Sequence, residues 1–202
     1  MKTKSSDEYV MVFPANILET LGYFQGLHLD PSKYIGNIES QATFRLRSKV
    51  ENDFLFKQLI PYVIVTHNGS VLSYRRGARS SESRLKGNRS IGIGGHISAS
   101  DPNLFSSSYE QGMYRELNEE LRIDSTYNIK LVAMLNDDSN EVGRVHFGLI
   151  HLLILSEAKV TNNEQAISDL KFLSYEKLSS SIDEYENWSQ ICIRQLLSLL
   201  NA

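Results

Sequence analysis

Six consecutive residues, Arg115-Glu116-Leu117-Asn118-Glu119-Glu120, hold the densest chemistry in the chain. On a helix, Glu116, Glu119 and Glu120 stand at i, i+3 and i+4 and project to one side. Three carboxylates held ~6 Å apart repel by ~3 kcal/mol per pair at an effective dielectric of about 20. A hard divalent cation relieves that repulsion, and Mg²⁺ takes carboxylate oxygens together with substrate phosphates. Arg115 lies four residues before Glu119, placed to hold that carboxylate through an i,i+4 pair. A second reading needs no ligand. Like-charge pairs at this spacing cost only about 0.2–0.5 kcal/mol in solvent, so the same residues also suit a plain acidic face. Spacing alone leaves both readings open.

Other residues could bind or react. Arg75, Arg76, Arg79, Arg84 and Arg89 crowd into fifteen positions. Guanidinium forks suit phosphate oxygens, so one or two of these arginines are candidates for substrate and the rest are solvated. Gly92, Gly94 and Gly95 serve either a tight turn or a close backbone approach to a ligand. His96 follows them and suits either a phosphate contact or a structural hydrogen bond. His146 and His151 are five apart on one strand, hence on opposite faces, and cannot form one metal pair. Buried, hydrogen-bonded histidines are expected there. Cys192, among apolar residues, reads as inert packing.

The elements that position these residues can be read from periodicity. Residues 9–13 form a strand-like run and 15–24 a helix, followed by polar, turn-rich sequence punctuated by Pro31 and Gly36. Residues 62–66 are β-branched and lead into Asn68-Gly69, a strong hairpin signal, with 71–74 as the return strand. Residues 90–97 read as a strand tapering into the Gly94-Gly95 turn. Tyr109, Met113, Leu117 and Leu121 recur every four residues, giving a helix over 106–121 with Ser106, Ser107 or Ser108 as its cap. Strands are expected at 130–135 and 145–155, the latter central because both its faces are apolar. A short strand leads into a helix over 172–178, and one amphipathic helix closes the chain over 182–201. This order implies α+β architecture with a mixed sheet between helices, not repeated βαβ winding.

Composition narrows the function classes. With 202 residues, the chain is about one domain on the usual ~100–200 residue scale. Its 41% hydrophobic and 22% charged residues are those of a globular protein. A net charge of −3 argues against broad binding to nucleic acid or an anionic membrane. The single cysteine excludes an intrachain disulfide framework and a Cys-rich zinc site. No signal peptide is visible at the start, and the longest apolar stretch, residues 145–155, falls short of the ~20 residues a bilayer requires. A cytoplasmic chain is expected.

A strand ending in Gly94-Gly95, a loop, and a helix carrying Arg115-Glu116-Leu117-Asn118-Glu119-Glu120 together resemble the box of the Nudix hydrolase superfamily. Ile123 matches the closing apolar position of that box. Phe172-Leu173-Ser174-Tyr175-Glu176-Lys177-Leu178 resembles the aromatic-x-Ser-x-Glu-x-Leu segment that often ends the family's last strand. The similarity runs over residues 55–200 and is greatest to a subgroup described as predicted phosphoesterases, which carries Ser-Ile-Gly-Ile-Gly-Gly-His as in residues 90–96. It implies a Nudix-like mixed sheet sandwiched between helices in residues 56–202, with residues 1–55 an N-terminal extension packed on that core. It further implies Mg²⁺ or Mn²⁺ held by Glu116, Glu119, Glu120 and the Gly95 carbonyl. Catalytic roles fall to Glu116, Glu119 and Arg115, and to Glu164, in a loop where some members place a base or extra ligand. Arg75, Arg76, Arg84 and His96 would contact substrate.

Two departures stand out. The spacing from Gly95 to Arg115 is twenty residues, longer than the family's, and its first box glutamate would fall on Ser107, with Glu110 three positions away. The glycine after Glu-Glu is replaced by Arg122, which predicts a different turn into Ile123. The expected function is metal-dependent cleavage of the diphosphate linkage in a nucleoside diphosphate derivative or similar compound. The alternative is a non-catalytic nucleotide-sensing module of the same fold. An isopentenyl diphosphate isomerase is a third reading, disfavoured because such enzymes usually rely on an active-site cysteine. A small-molecule diphosphate is the expected partner, without nucleic acid or membrane. A homodimer is the assembly expected if the chain associates.

Overall fold

Asn68 and Gly69 take φ values of 47° and 75°, the two positive angles that a two-residue hairpin turn demands. The computed structural model describes residues 8–77, 87–100, 107–163 and 167–202. In chain order its first elements are β1 (Tyr9–Pro14), α1 (Asn16–Leu21), β2 (Gly26–His28), α2 (Ser32–Gln41), β3 (Thr43–Leu46) and α3 (Arg47–Val50). Next come β4 (Phe56–His67), β5 (Ser70–Arg76), β6 (Arg89–Ser90), β7 (Gly92–Ile93), α4 (Ser108–Glu120), β8 (Leu121–Ile123) and β9 (Tyr127–Asn136). The chain ends through α5 (Glu141–Arg144), β10 (His146–Leu155), β11 (Val160–Asn162), β12 (Ile167–Leu173), α6 (Tyr175–Ser180), α7 (Asn187–Arg194) and α8 (Leu196–Leu200). The fold is α+β with a large mixed sheet, as the order of signals implied.

The chain divides into two compact units, and β4, β9, β10 and α4 each begin in one and end in the other. The first comprises residues up to 61, 95–115 and 133–149. In it β1 pairs antiparallel with β3 and with the start of β4, while β2 pairs antiparallel with the end of β9. Val10, Val12 and Val50 form a small core with Phe56 against it. Phe147 meets Phe13 and Phe24 edge-on at 5.2 and 6.0 Å, an arrangement the ring quadrupoles favour. The stretch read as turn-rich holds α2 instead. Pro31 stands just before its first turn, where a missing N–H is tolerated, and Tyr34 and Ile38 bury one face at i,i+4.

The second unit comprises residues 62–94, 116–132 and 150–202. Here β5 lies between β4 and β12, with β6 on β5 and β7 on β4, and β8 pairs with β11. The Gln58 amide donates to the Val145 carbonyl and the Thr66 hydroxyl to the Leu153 carbonyl, so β4 and β10 advance in the same direction. As expected, β10 is central, between β4 and β9. In place of one tapering strand over 90–97 stand two short strands, β6 and β7, which end at Ile93. The Tyr62 ring lies over them, and a Cβ on Gly92 would sit 2.0 Å from it, so glycine here makes room for a ring.

The expected closing helix is broken into a 3-10 turn at Ile182–Glu184, then α7 and α8. The break has a physical cause. The Glu186 carboxylate accepts from the Trp188 and Ser189 amides at 2.8 and 2.9 Å and starts α7 afresh. The same carboxylate accepts from the Tyr62 hydroxyl at 2.7 Å.

Candidate active site

α4 carries the acidic signature, and its side chains are sorted by the helix period. The Ser107 hydroxyl accepts from the Glu110 amide at 3.2 Å and caps the first turn. Met113, Leu117 and Leu121 are buried as the stripe required. At ~100° per residue, Glu119 lies farthest from that stripe and is exposed, with Glu116 and Glu120 between them. Glu116 is only 5% exposed, and the Oε2 atom of Glu120 is shut off from solvent. The three carboxylates thus occupy about 100° of arc and pass from surface to interior. A plain solvated face does not bury one of its three acids and enclose an oxygen of a second.

The end of α4 explains the departure at Arg122. No left-handed residue stops the helix, since the non-glycine residues with positive φ among those described are Asn68 and Asp169. Arg122 is extended in β8, opposite Thr161. The helix carbonyls are taken by a residue from another element. Asn163 donates from its amide to the Glu120 carbonyl at 2.9 Å and from Nδ2 to the Asn118 carbonyl at 2.8 Å. Sequence reasoning missed Asn163. Its partners lie more than forty residues away, and nothing local marks it.

Of the described arginines in this cluster, Arg76 is the one that feels the charge of Glu120 on the acidic helix. Burial disfavours its charge, yet Tyr74, Glu120 and Glu186 hold the guanidinium above the usual arginine range. Tyr74 in turn is pushed far up by burial and by the Glu120 charge, and its hydroxyl donates to the Gly92 carbonyl at 2.6 Å. Arg75 turns elsewhere, donating to the Gly87 carbonyl at 2.7 Å and facing Glu184 at 3.6 Å. Arg89 is internal, bonded to the Ser73 hydroxyl at 2.9 Å and to Asp169 at 2.6 Å. Asp169 reaches it from a bulge in β12 at φ 51°. Arg79, Arg84 and Glu164 lie outside the described residues.

His96 and His146 are both buried, with their Nε2 atoms 3.2 Å apart. His146 and His151 are both buried, as expected, but the partnership of His146 with His96 was not legible in the sequence. Arg115 donates from Nη2 to the His96 carbonyl at 2.9 Å, tying the first signature residue to the residue after Gly95. Burial lowers His151 to about 4. Cys192 is buried, and burial together with Glu186 pushes its thiol well up, as befits packing and not reactivity.

Among the described residues, Glu116, Glu119 and Glu120 included, no three His, Cys, Asp or Glu side chains are grouped closely enough to hold a metal ion by themselves. Mg²⁺ does not require such a group. It binds through one or two carboxylates plus waters and substrate phosphates. No helix among the described residues is long and apolar enough to cross a membrane.

No protein-family model matches the chain. Protein YmaB of Bacillus subtilis (strain 168) is 33% identical over 199 residues, spanning 93% of this chain and 96% of that protein. The crystal structure of Tm1382, provisionally assigned to the Nudix hydrolases, superposes with a TM-score of 0.79 at 26% identity, covering 95% of this chain and 100% of that one. A bifunctional NMN adenylyltransferase/ADP ribose pyrophosphatase from Francisella tularensis, complexed with AMP and a manganese ion, shares the fold at a TM-score of 0.51 and 18% identity, over 71% of this chain and 42% of that one. A helix carrying Arg115-Glu116-Leu117-Asn118-Glu119-Glu120, set in a fold superposable on Tm1382 along nearly its whole length, makes this chain a member of the Nudix hydrolase superfamily.

Proposed function

We propose that the chain is a Mg²⁺- or Mn²⁺-dependent hydrolase that splits the P–O–P linkage of a nucleoside diphosphate derivative or a similar compound. The observation that carries this reading is the sequestered pair of acids on one side of α4, Glu116 buried and Oε2 of Glu120 shut off from solvent, with the Glu120 charge also favouring the Arg76 guanidinium, a group suited to phosphate. Glu116, Glu119 and Glu120 hold the ion, and the Gly95 carbonyl is the further ligand that the family likeness implies. When bound, the ion lowers the pKa of a coordinated water and neutralises charge on the leaving group. Arg76 orients the diphosphate with Arg84 as the further contact, whereas Arg75 is turned to Glu184 and the buried His96 ring to His146. In this reading Glu119, which is exposed, accepts a proton from the attacking water, and Glu164 is the rival base. Arg115 holds the turn at His96. Residues 56–202 carry this activity, with residues 1–55 as an extension. The Francisella tularensis enzyme, a likeness of fold alone, holds the ligand pair expected here, a nucleotide and manganese.

Incubation with Mg²⁺ and a panel of nucleotide sugars, dinucleotides and oxidised nucleotides tests the proposal. Release of phosphate or nucleoside monophosphate supports it. Binding without turnover instead supports a nucleotide-sensing module, the second reading, which Ser107 in place of an acid favours. The isomerase reading has the buried Cys192 against it.

A further inference from the structure

Three hydrogen bonds run in one direction from the signature helix into β10. Arg115 Nη2 donates to the His96 carbonyl at 2.9 Å, the His96 and His146 rings meet at Nε2, and His146 Nδ1 lies 2.7 Å from the Val142 carbonyl. The last contact fixes the proton positions. A carbonyl only accepts, so Nδ1 of His146 carries the proton and its Nε2 is the acceptor in the neutral ring. His96 must then donate from Nε2 across the 3.2 Å gap. Both rings are buried, so water does not readily replace a lost partner.

We infer that His146 is a positioning residue: its Nε2 holds the His96 ring, and with it the main-chain carbonyl on which Arg115 is anchored. The role rests on the reading of Arg115 as part of the catalytic helix. The same two nitrogens could in principle flank a metal ion, but no third His, Cys, Asp or Glu joins them among the described residues. A hydrogen bond between the rings accounts for the distance without one.

Two substitutions separate the two ends of the His146 ring. His146→Gln keeps an acceptor near the Nε2 position through its side-chain carbonyl, whereas His146→Asn keeps only a donor near Nδ1. Long-range ¹H–¹⁵N spectra of the imidazoles are expected to show the proton on Nδ1 of His146 and on Nε2 of His96. The His96 Nε2 proton should persist in the Gln variant and be lost to exchange in the Asn variant, with the Arg115 side-chain resonance moving only in the latter. Turnover on the panel should follow: the Gln variant retains most of its kcat, while the Asn variant loses on the order of tenfold in kcat with KM little changed. A proton on Nε2 of His146, equal losses in both variants, or displacement of the His96 signal by added Zn²⁺ overturns the inference. Should the Asn variant not fold, the wild-type spectrum decides. Should the wild type prove inactive on every substrate, the proposed function fails while the spectra still decide the role of His146.

Discussion

Asn163 closes the helix that carries Glu120, bonding the Glu120 carbonyl through its own backbone amide at 2.9 Å. Its side chain takes the Asn118 carbonyl, two residues further into the helix, at 2.8 Å. Helix ends leave carbonyls unsatisfied, and a glycine at this point of the family's box commonly lets the chain reverse and cover them itself. With Arg122 extended in β8, that route is closed, and a donor from the end of β11 takes its place. The cap also ties residue 163, next in sequence to Glu164, to the end of the helix that carries Glu119 and Glu120.

Replacing Asn163 tests the cap. Asn163→Ala removes the Nδ2 bond and leaves the backbone bond, so a loss of about 1 kcal/mol is expected, a fall in Tm of roughly 2–4 °C. Asn163→Asp should cost more. It loses the same donor and sets a negative charge against the negative end of the helix dipole. Thermal melts at neutral pH check the order, and an Asp variant as stable as the Ala variant would show that the side chain does not engage the helix end.

His151 links stability to pH. Burial lowers its pKa to about 4, against 6.5 for the free side chain. The unfolded chain therefore takes up a proton between those values while the folded chain does not. Stability is full above pH 6.5 and falls as pH drops toward 4, by on the order of 3 kcal/mol in all. Urea melts from pH 7.5 to 4 should show this slope in the wild type and a flatter one in His151→Phe. The slope is the readout, so a uniform offset in the variant does not disturb the test. Parallel curves would remove His151 as the titrating group.

What the sequence announced and what it hid follow from range. Asn68-Gly69 announced its hairpin because positive φ is a local demand with few solutions. The α4 stripe announced itself because Met113, Leu117 and Leu121 need only one helix to line up. α2 was hidden since Pro31 and Gly36 resemble punctuation, although a proline before the first turn harms nothing and Tyr34 with Ile38 anchors the face. The break at Glu186 was hidden because the capping carboxylate is also committed to Tyr62, more than a hundred residues away. Asn163 and the His96–His146 pair belong to the same class. Their partners are set by the sheet and not by neighbours in sequence, so residue type gave no hint of them.

The carboxylates should differ from the residues that support them. Glu119→Gln and Glu120→Gln keep size and hydrogen-bonding capacity but remove the charge, so each is expected to lower turnover by about 10²–10⁴ while the fold stays intact. Circular dichroism and steady-state rates on a substrate from the panel are the measurements. Near-normal activity in either variant would withdraw that residue from the metal site.

The metal can be tested without any substrate. If the three glutamates form only an acidic face, millimolar Mg²⁺ leaves Tm almost unchanged. If they bind the ion in the folded state alone, linkage requires stabilisation by RT ln(1 + [L]/Kd). At ten times Kd this is about 1.4 kcal/mol, or roughly 3–5 °C for a chain of this length. Substrate phosphates supply part of the coordination of Mg²⁺, so the shift should grow when a non-hydrolysable diphosphate analogue is added with the ion. Mn²⁺ should act in the same direction. Glu116→Gln is the control, because its buried carboxylate is the least replaceable by water. The expected result is a shift in the wild type that shrinks in the variant, largest with ion and analogue together. Identical responses of wild type and Glu116→Gln to Mg²⁺, Mn²⁺ and both combinations with the analogue would leave the acidic helix without its proposed ion.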